Sequence, residues 1–382
     1  MVSLLNDSYI DNFIEACEDG DLDSIRDIYG LNPNIIDISA YDEQAFTEAC
    51  ENGHLKVVKQ LYQWKPTIDI SAYDEYAFRI ACNNGHLDVV RQLYQWKLGL
   101  IDISAQNDDA FIGACKNGHL EVVKQLYEWK PTIDISALEF GFRFACVNRH
   151  LEVVKQLYQW NSNIKNSVFE YAFRGACKNG HLDVVRLLYQ WNPSINISAK
   201  KEYAFRIACM NGHLEIVRQL YQWKPSINIS AKKEWSFRYA CKFGHLEIVR
   251  QLYQWKPTID ISAKDEYAFR LSCRTGKIEV VRQLYQWKPT IDISAWDEYA
   301  FRWACENGRL EIVRQLYQWK PTILSPLTKE SIPEGETLEC PICRDNIHGE
   351  CMVTKCGHKY CAYCINQWLE NSPTCPYCRR NI

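Results

Sequence analysis

Apolar and polar positions along the 382-residue chain follow a pattern that starts again about every 32 residues. Within one period, DEYAFRIACNNGHLDVVRQLYQWK, two apolar runs with helical spacing flank a polar break. Asp74 is placed to cap the first predicted helix. Asn84-Gly85 ends it, because glycine takes the left-handed conformation at a helix C-terminus without a Cβ clash. The second helix sets Leu87, Val90, Leu93 and Tyr94 on one apolar stripe. Pro66 and its equivalents stop it, since proline disfavours helical geometry in the residue before it. The TIDISA segment that follows is too short for another element and is expected to be a connecting turn or finger. A tryptophan closes the units at Trp64, Trp96, Trp129, Trp160, Trp191, Trp223, Trp255, Trp287 and Trp319, at spacings of 31 to 33 residues. A divergent first copy carries Gly30 in that position, so ten units are expected over residues 1–323. One helix pair cannot bury its apolar face alone, so the units must stack and share a core.

The period, with G-H-L at Gly53–Leu55, Gly85–Leu87, Gly118–Leu120, Gly180–Leu182, Gly212–Leu214 and Gly244–Leu246, resembles the ankyrin repeat over most of the chain. The resemblance implies a mostly α fold: an ankyrin-repeat solenoid of about ten helix-turn-helix repeats. The chain departs from the family where T-P-L-H-x-A-A is replaced by YAFRIAC. Three columns recur once per unit. Cysteines from Cys17 to Cys305 stand beside a small residue and are read as inert core filling. Histidines from His54 to His245 are expected to hydrogen-bond between units. Arginines from Arg79 to Arg302 are expected to pair with acidic groups of their own finger, with recognition of an acidic partner as the rival reading. Positions that do not repeat would line the finger and first-helix side, the concave surface used by ankyrin-like proteins. There Tyr239, Trp296 and Trp303 are candidate anchors for a protein substrate. The acidic first unit reads as an end cap, and residues 324–338 read as a linker.

Charge narrows the choice of partner. With 44 basic and 47 acidic residues, a formal charge of −3 and a pI near 6.3, no polyanion-binding surplus exists, so no nucleic acid is expected. No stretch approaches the ~18 uninterrupted apolar residues of a membrane span. The N-terminus lacks the positive and apolar regions of a secretory signal. An intracellular protein is expected, with no membrane partner; the cytoplasm is favoured, and the nucleus stays open. Eighteen cysteines in a reducing compartment point to core filling and metal ligation rather than disulfides.

The C-terminal cysteines have a different spacing: C-x2-C, twelve residues, C-x-H-x2-C-x2-C, ten residues, C-x2-C. The central CGHKYCAYC has the count for one tetrahedral zinc, as in a compact knuckle, or the halves of two sites. All eight ligands make two four-ligand sites with none left over. Closed sites of this kind are structural, because no open position remains for water. Cys351 and His348 fall outside the pattern. The run resembles a RING finger of the C3HC4 type over residues 339–382. The resemblance implies a cross-brace, with Cys340, Cys343, Cys361 and Cys364 on one zinc and Cys356, His358, Cys375 and Cys378 on the other; spacing alone also allows sequential pairing. It further implies a groove for a ubiquitin-conjugating enzyme at Ile342, Trp368 and Pro376, with Arg379 positioning the conjugated ubiquitin. Ile365, Trp368 and Leu369 would share one helix face. The expected function is that of a RING-type E3 ubiquitin ligase, forming no covalent ubiquitin intermediate, whose array selects the substrate. A non-catalytic adaptor is the alternative. The near-verbatim units also resemble ankyrin families of giant viruses; a viral origin would make host proteins the substrates and the host cytoplasm the compartment.

Overall fold

The structure is a computed structural model and describes residues 2–31, 36–97, 100–320, 328–333, 335–354, 356–371, 375 and 377. The chain divides into two compact units, Met1–Asn196 and Ile197–Ile382. The first holds the helix pairs α1 (Val2–Asp19) and α2 (Leu22–Leu31), α3 (Ala40–Glu51) and α4 (Leu55–Trp64), α5 (Ala72–Asn84) and α6 (Leu87–Lys97), α7 (Ala105–Asn117) and α8 (Leu120–Trp129), α9 (Ile135–Asn148) and α10 (Leu151–Trp160), and α11 (Asn166–Asn179) and α12 (Leu182–Trp191). The second holds α13 (Ala199–Asn211) and α14 (Leu214–Trp223), α15 (Ala231–Phe243) and α16 (Leu246–Trp255), α17 (Ala263–Thr275) and α18 (Ile278–Trp287), and α19 (Ala295–Glu306) and α20 (Leu310–Trp319). It continues into β1 (Thr328–Ser331), β2 (Leu338–Glu339), β3 (Asn346–Ile347), β4 (Glu350–Val353), β5 (Lys359–Tyr360) and α21 (Ala362–Asn371).

In each array the first helix of a pair packs on the first helix of the next, as α5 does on α7 and α15 on α17. Phe78, Ala81 and Cys82 of α5 are buried together with Val89, Val90 and Leu93 of α6. Leu87 is only half-buried, so the stripe is narrower than its spacing implied; as the first helical residue, its side chain leans back over the preceding turn. Two isoleucines of most fingers, such as Ile68 and Ile70 or Ile259 and Ile261, are also buried, so the connecting segment belongs to the core. Gly85 ends α5 at φ +84°, with His86 N–H bonded to Ala81 O, and a Cβ there would strike the His119 ring of the following unit. The cysteine column is buried, and burial pushes the Cys17 and Cys305 thiols up to about 12, as befits inert filling. The histidine column bridges units: His54 to Glu18 O at 2.8 Å, His86 to Glu51 O at 2.8 Å, and His245 to Met210 O at 2.9 Å.

The entry to the first helix differs from expectation. Ser71, not Asp74, occupies the cap position and makes no side-chain cap bond; Tyr73, Asp74 and Glu75 follow in the left-handed region at φ 52°, 55° and 63°. The same turn recurs at Lys200–Lys201–Glu202, Lys232–Lys233–Glu234 and Lys264–Asp265–Glu266. For residues with a Cβ this geometry costs roughly 1–2 kcal/mol each. The arginine column helps offset it. Arg79 donates from Nε to Asp74 O (2.8 Å) and from Nη2 to Tyr73 O (3.3 Å). Arg206 does the same on Lys201 O and Lys200 O, Arg238 on Lys233 O and Lys232 O, and Arg270 on Asp265 O and Lys264 O. Pairing is therefore local, but for these four with backbone carbonyls; Arg79 reaches a carboxylate only at Asp109 of the next unit (2.6 Å). Arg174 meets an acid of its own unit, Glu170 at 3.3 Å.

The third residue of the turn is a buried carboxylate. Glu266 Oε1 accepts from Ser262 Oγ (2.5 Å) and from Asp292 N–H of the next finger (3.4 Å), with Lys288 Nζ 3.7 Å away; Oε2 has no partner. Within each compact unit, tyrosines of the second helices stack on the tryptophan of the following repeat: Tyr62 on Trp96 at 4.0 Å, Tyr94 on Trp129 at 3.8 Å, and Tyr253 on Trp287 at 4.0 Å between ring centroids. Such stacks add about 0.5–1.5 kcal/mol each beyond area burial.

The stretch read as a linker is in part a strand. β1 pairs antiparallel with β4, Thr328 opposite Val353 and Ser331 opposite Glu350, and Ile332 joins the buried core of the C-terminal module. Alternation in TKES is too short to signal a strand; its partner β4 supplies the hydrogen bonds that define it.

Candidate functional site

The C-terminal module has a core too small to stand on hydrophobic burial: Ile332, Ile347, Tyr360 and Ile365 are the buried apolar residues other than cysteine among those described. Cysteines fill the remainder. The β2–β3 hairpin (Leu338 opposite Ile347) presents Cys340 and Cys343 in its turn, where Cys340 N–H bonds Asp345 O and Arg344 N–H bonds Cys340 O. Cys361 precedes α21 and Cys364 lies in its first turn. The four sulfurs of Cys340, Cys343, Cys361 and Cys364 all lie within 4.8 Å of one another. Burial raises the Cys340 thiol, but N–H groups of Cys343, Cys361 and Ile342 aimed at its sulfur outweigh that and bring it down to about 7. That favours the thiolate, the form that binds metal, at Cys340, whereas burial raises Cys364, and Cys343 is raised as well.

A second cluster joins Cys356, His358 and Cys375 under the same 4.8 Å limit. His358 Nδ1 stands 3.3 Å from Cys356 Sγ and 3.5 Å from Cys375 Sγ. A tetrahedral zinc with bonds of about 2.3 Å to sulfur and about 2.0–2.1 Å to nitrogen spaces its ligands roughly 3.5–3.8 Å apart. The donor sets fit two structural zinc ions. They are interleaved along the chain, as a cross-brace requires and a sequential pairing does not. Cys378, the fourth expected ligand of the second cluster, lies outside the described residues.

Two supporting side chains carry no ligand signature and escaped the sequence reading. Thr354, buried, accepts from His358 N–H and donates to His358 O, both at 3.0 Å, and its Oγ1 lies 3.2 Å from Cys356 Sγ. Tyr360, fully buried, sets its hydroxyl 3.0 Å from Cys375 Sγ and accepts from Tyr377 N–H. Such outer contacts orient ligands; their one sequence signal is nearness to a ligand, two residues before Cys356 and next to Cys361. Cys351 is a buried core residue 3.5 Å from Glu330 O, outside both clusters. Of the residues expected to contact a conjugating enzyme, Ile342 is half-buried against the cysteine core, and Trp368 is 37 % exposed on α21. Pro376, Arg379 and the side chain of Leu369 lie outside the described residues.

In the array, Trp296 is 61 % exposed with Arg270 over its ring at 4.2 Å, and Trp303 is half-buried beneath Arg274 at 4.0 Å. Tyr299 touches both, with ring centroids 6.4 and 5.5 Å away. Tyr239 is half-buried and stacks on Trp235 at 4.2 Å.

A family model for ankyrin repeats (3 copies) matches residues 13–107, 46–139, 142–233 and 237–324, most of the chain. The chain belongs to the ankyrin-repeat family. This ankyrin-repeat protein also matches a ring finger domain model over residues 338–379, the module holding both metal clusters. There it is similar to human E3 ubiquitin-protein ligase RNF5 (45 % identity over 51 residues, 13 % of this chain and 28 % of that protein). Human E3 ubiquitin-protein ligase RNF4 follows (43 % over 56 residues, 13 % and 29 %), as does E3 ubiquitin-protein ligase CHFR of Pongo abelii (46 % over 44 residues, 12 % and 8 %). The similarity spans less than a third of each relative and is confined to the RING, so the ankyrin array has no counterpart in those alignments.

Proposed function

We propose that this ankyrin-repeat protein is a RING-type E3 ubiquitin ligase. The RING recruits a ubiquitin-conjugating enzyme charged with ubiquitin, and the array binds the protein to be modified. The observation that carries the reading is a RING with interleaved zinc clusters and 43–45 % identity to E3 ligases, in which Ile342 and Trp368 stay accessible on its surface. No chain residue need become covalently linked to ubiquitin. Transfer is accelerated by holding the charged enzyme and its acceptor together, which replaces a bimolecular encounter with a near-intramolecular one. Arg379 orients the conjugated ubiquitin, and Pro376 completes the groove with Ile342 and Trp368. On the array, Tyr239, Trp296 and Trp303 anchor the substrate.

The test is autoubiquitination with a panel of conjugating enzymes. The wild type forms ubiquitin chains, while Ile342→Ala and Trp368→Ala reduce the rate at least tenfold without loss of zinc. A wild type that transfers no ubiquitin, or an Ile342→Ala variant that transfers it undiminished, sinks the ligase mechanism and leaves the adaptor reading.

A further inference from the structure

Between α15, α17 and α19 lies a cleft of about 400 Å³ lined by Lys242, Tyr267, Arg270, Arg274, Trp296 and Tyr299 together with Leu271 and Thr275. Three cations line it and no described carboxylate does. That is unusual in a chain with an overall charge of −3. Arg270 is 3 % exposed; its Nε and Nη2 are held by the carbonyls of Asp265 and Lys264, and Nη1 has no hydrogen-bond partner among the described residues. Arg274 is exposed and gives one bond, from Nη1 to Tyr299 Oη at 3.2 Å. The Asp265 carboxylate is engaged by Trp296 Nε1 at 3.4 Å.

The charge continues beyond the cleft. The fingertips of three successive repeats present Lys200, Lys201, Lys232, Lys233 and Lys264, all exposed. Their left-handed turns, tied by Arg206, Arg238 and Arg270, fix the backbone from which these side chains extend. The corresponding fingertips of the first unit carry Tyr73-Asp74 and Gln106-Asn107 instead.

We infer that the cleft and the lysine fingertips form a docking face for an acidic, extended protein segment, whose carboxylates meet Arg270, Arg274 and Lys242 and whose apolar side chain rests among Tyr267, Trp296 and Tyr299. Charge complementarity selects this occupant, and guanidinium groups held flat leave their N–H edges for carboxylates. A single-stranded nucleic acid is the less fitting polyanion, because base stacking needs a run of open ring faces, and of the three rings that line the cleft Tyr267 and Tyr299 are half-buried and only Trp296 is exposed. The inference deepens the substrate-binding part of the ligase reading and does not depend on ubiquitin transfer.

The experiment is fluorescence anisotropy with the full-length protein and three labelled probes: a twelve-residue peptide of glutamates with one central phenylalanine, its glutamine counterpart, and a single-stranded DNA oligonucleotide of equal charge. The expected result is binding of the acidic peptide that weakens with added salt, at least tenfold weaker binding of the glutamine peptide, and a weaker oligonucleotide. Lys242→Glu with Arg274→Glu lowers peptide affinity at least tenfold, Arg274→Gln lowers it less, and Lys56→Glu on α4 leaves it unchanged. Equal binding of the two peptides, tighter binding of the oligonucleotide, or charge-reversed variants that bind as the wild type overturn the inference. Peptide binding in a protein that forms no ubiquitin chains would retain the docking face and remove the ligase reading; chains without peptide binding would do the reverse.

Discussion

At the residue scale, the arginine column shows how one side chain can hold an unfavourable backbone. Three consecutive left-handed residues with side chains would not persist alone. Arg206 bridges the Lys200 and Lys201 carbonyls at 3.4 and 2.8 Å through a rigid fork that lysine cannot reproduce. We expect Arg206→Lys and Arg206→Ala alike to destabilise the local turn by about 1.5–3 kcal/mol, the range for hydrogen bonds to charged groups. Hydrogen–deuterium exchange checks this through faster exchange of amides in residues 199–206, with the neighbouring repeats protected as before. The sequence offered the arginine and an acid near it, and paired the two; the carbonyls were invisible because no glycine or asparagine marks the left-handed turn at Lys200–Glu202.

At the element scale, the repeat boundary was legible and the contacts across it were only partly so. The glycine of G-H-L announces its helix end, since few other residues tolerate φ +84°. The stacking of each LYQW tyrosine on the next unit's tryptophan was not legible, because spacing places both rings on one helix without saying that they meet across two. Two of the histidines after the glycines, His119 and His245, make their joints sensitive to acid. Burial lowers His119 and His245 below the ordinary imidazole range, with the bonds to Asn83 O and Met210 O acting the other way. The folded array therefore binds fewer protons than the unfolded chain, whose imidazoles titrate near 6.5. This contribution to stability is intact above about pH 6.5 and is lost as the pH falls through it. Urea midpoints should drop between pH 7.5 and 5.5, and a His119→Gln, His245→Gln variant should show a smaller drop; an unchanged dependence would contradict the account.

At the scale of the whole molecule, the two parts of the chain rest on different forces. The arrays bury a continuous apolar stripe and need no metal, whereas the RING has few buried residues besides its cysteines. A strong chelator is expected to abolish ubiquitin transfer and the protease resistance of the RING while leaving the helical circular dichroism nearly unchanged, because metal-binding energy there is folding energy. Restored activity on adding zinc, measured with the metal released on first treatment, completes the check. The sequence by itself determined the repeat, the glycine-marked ends of its first helices and the seven zinc ligands among the described residues, since each is written in local spacing and in residue types with few other uses. Only the tertiary structure decided that Thr328–Ser331 pairs with Glu350–Val353, that the two ligand sets are interleaved, and that Lys242, Arg274 and Tyr299 share one cleft. Those residues belong to different elements, and nothing in local spacing says which distant positions a fold will bring within reach.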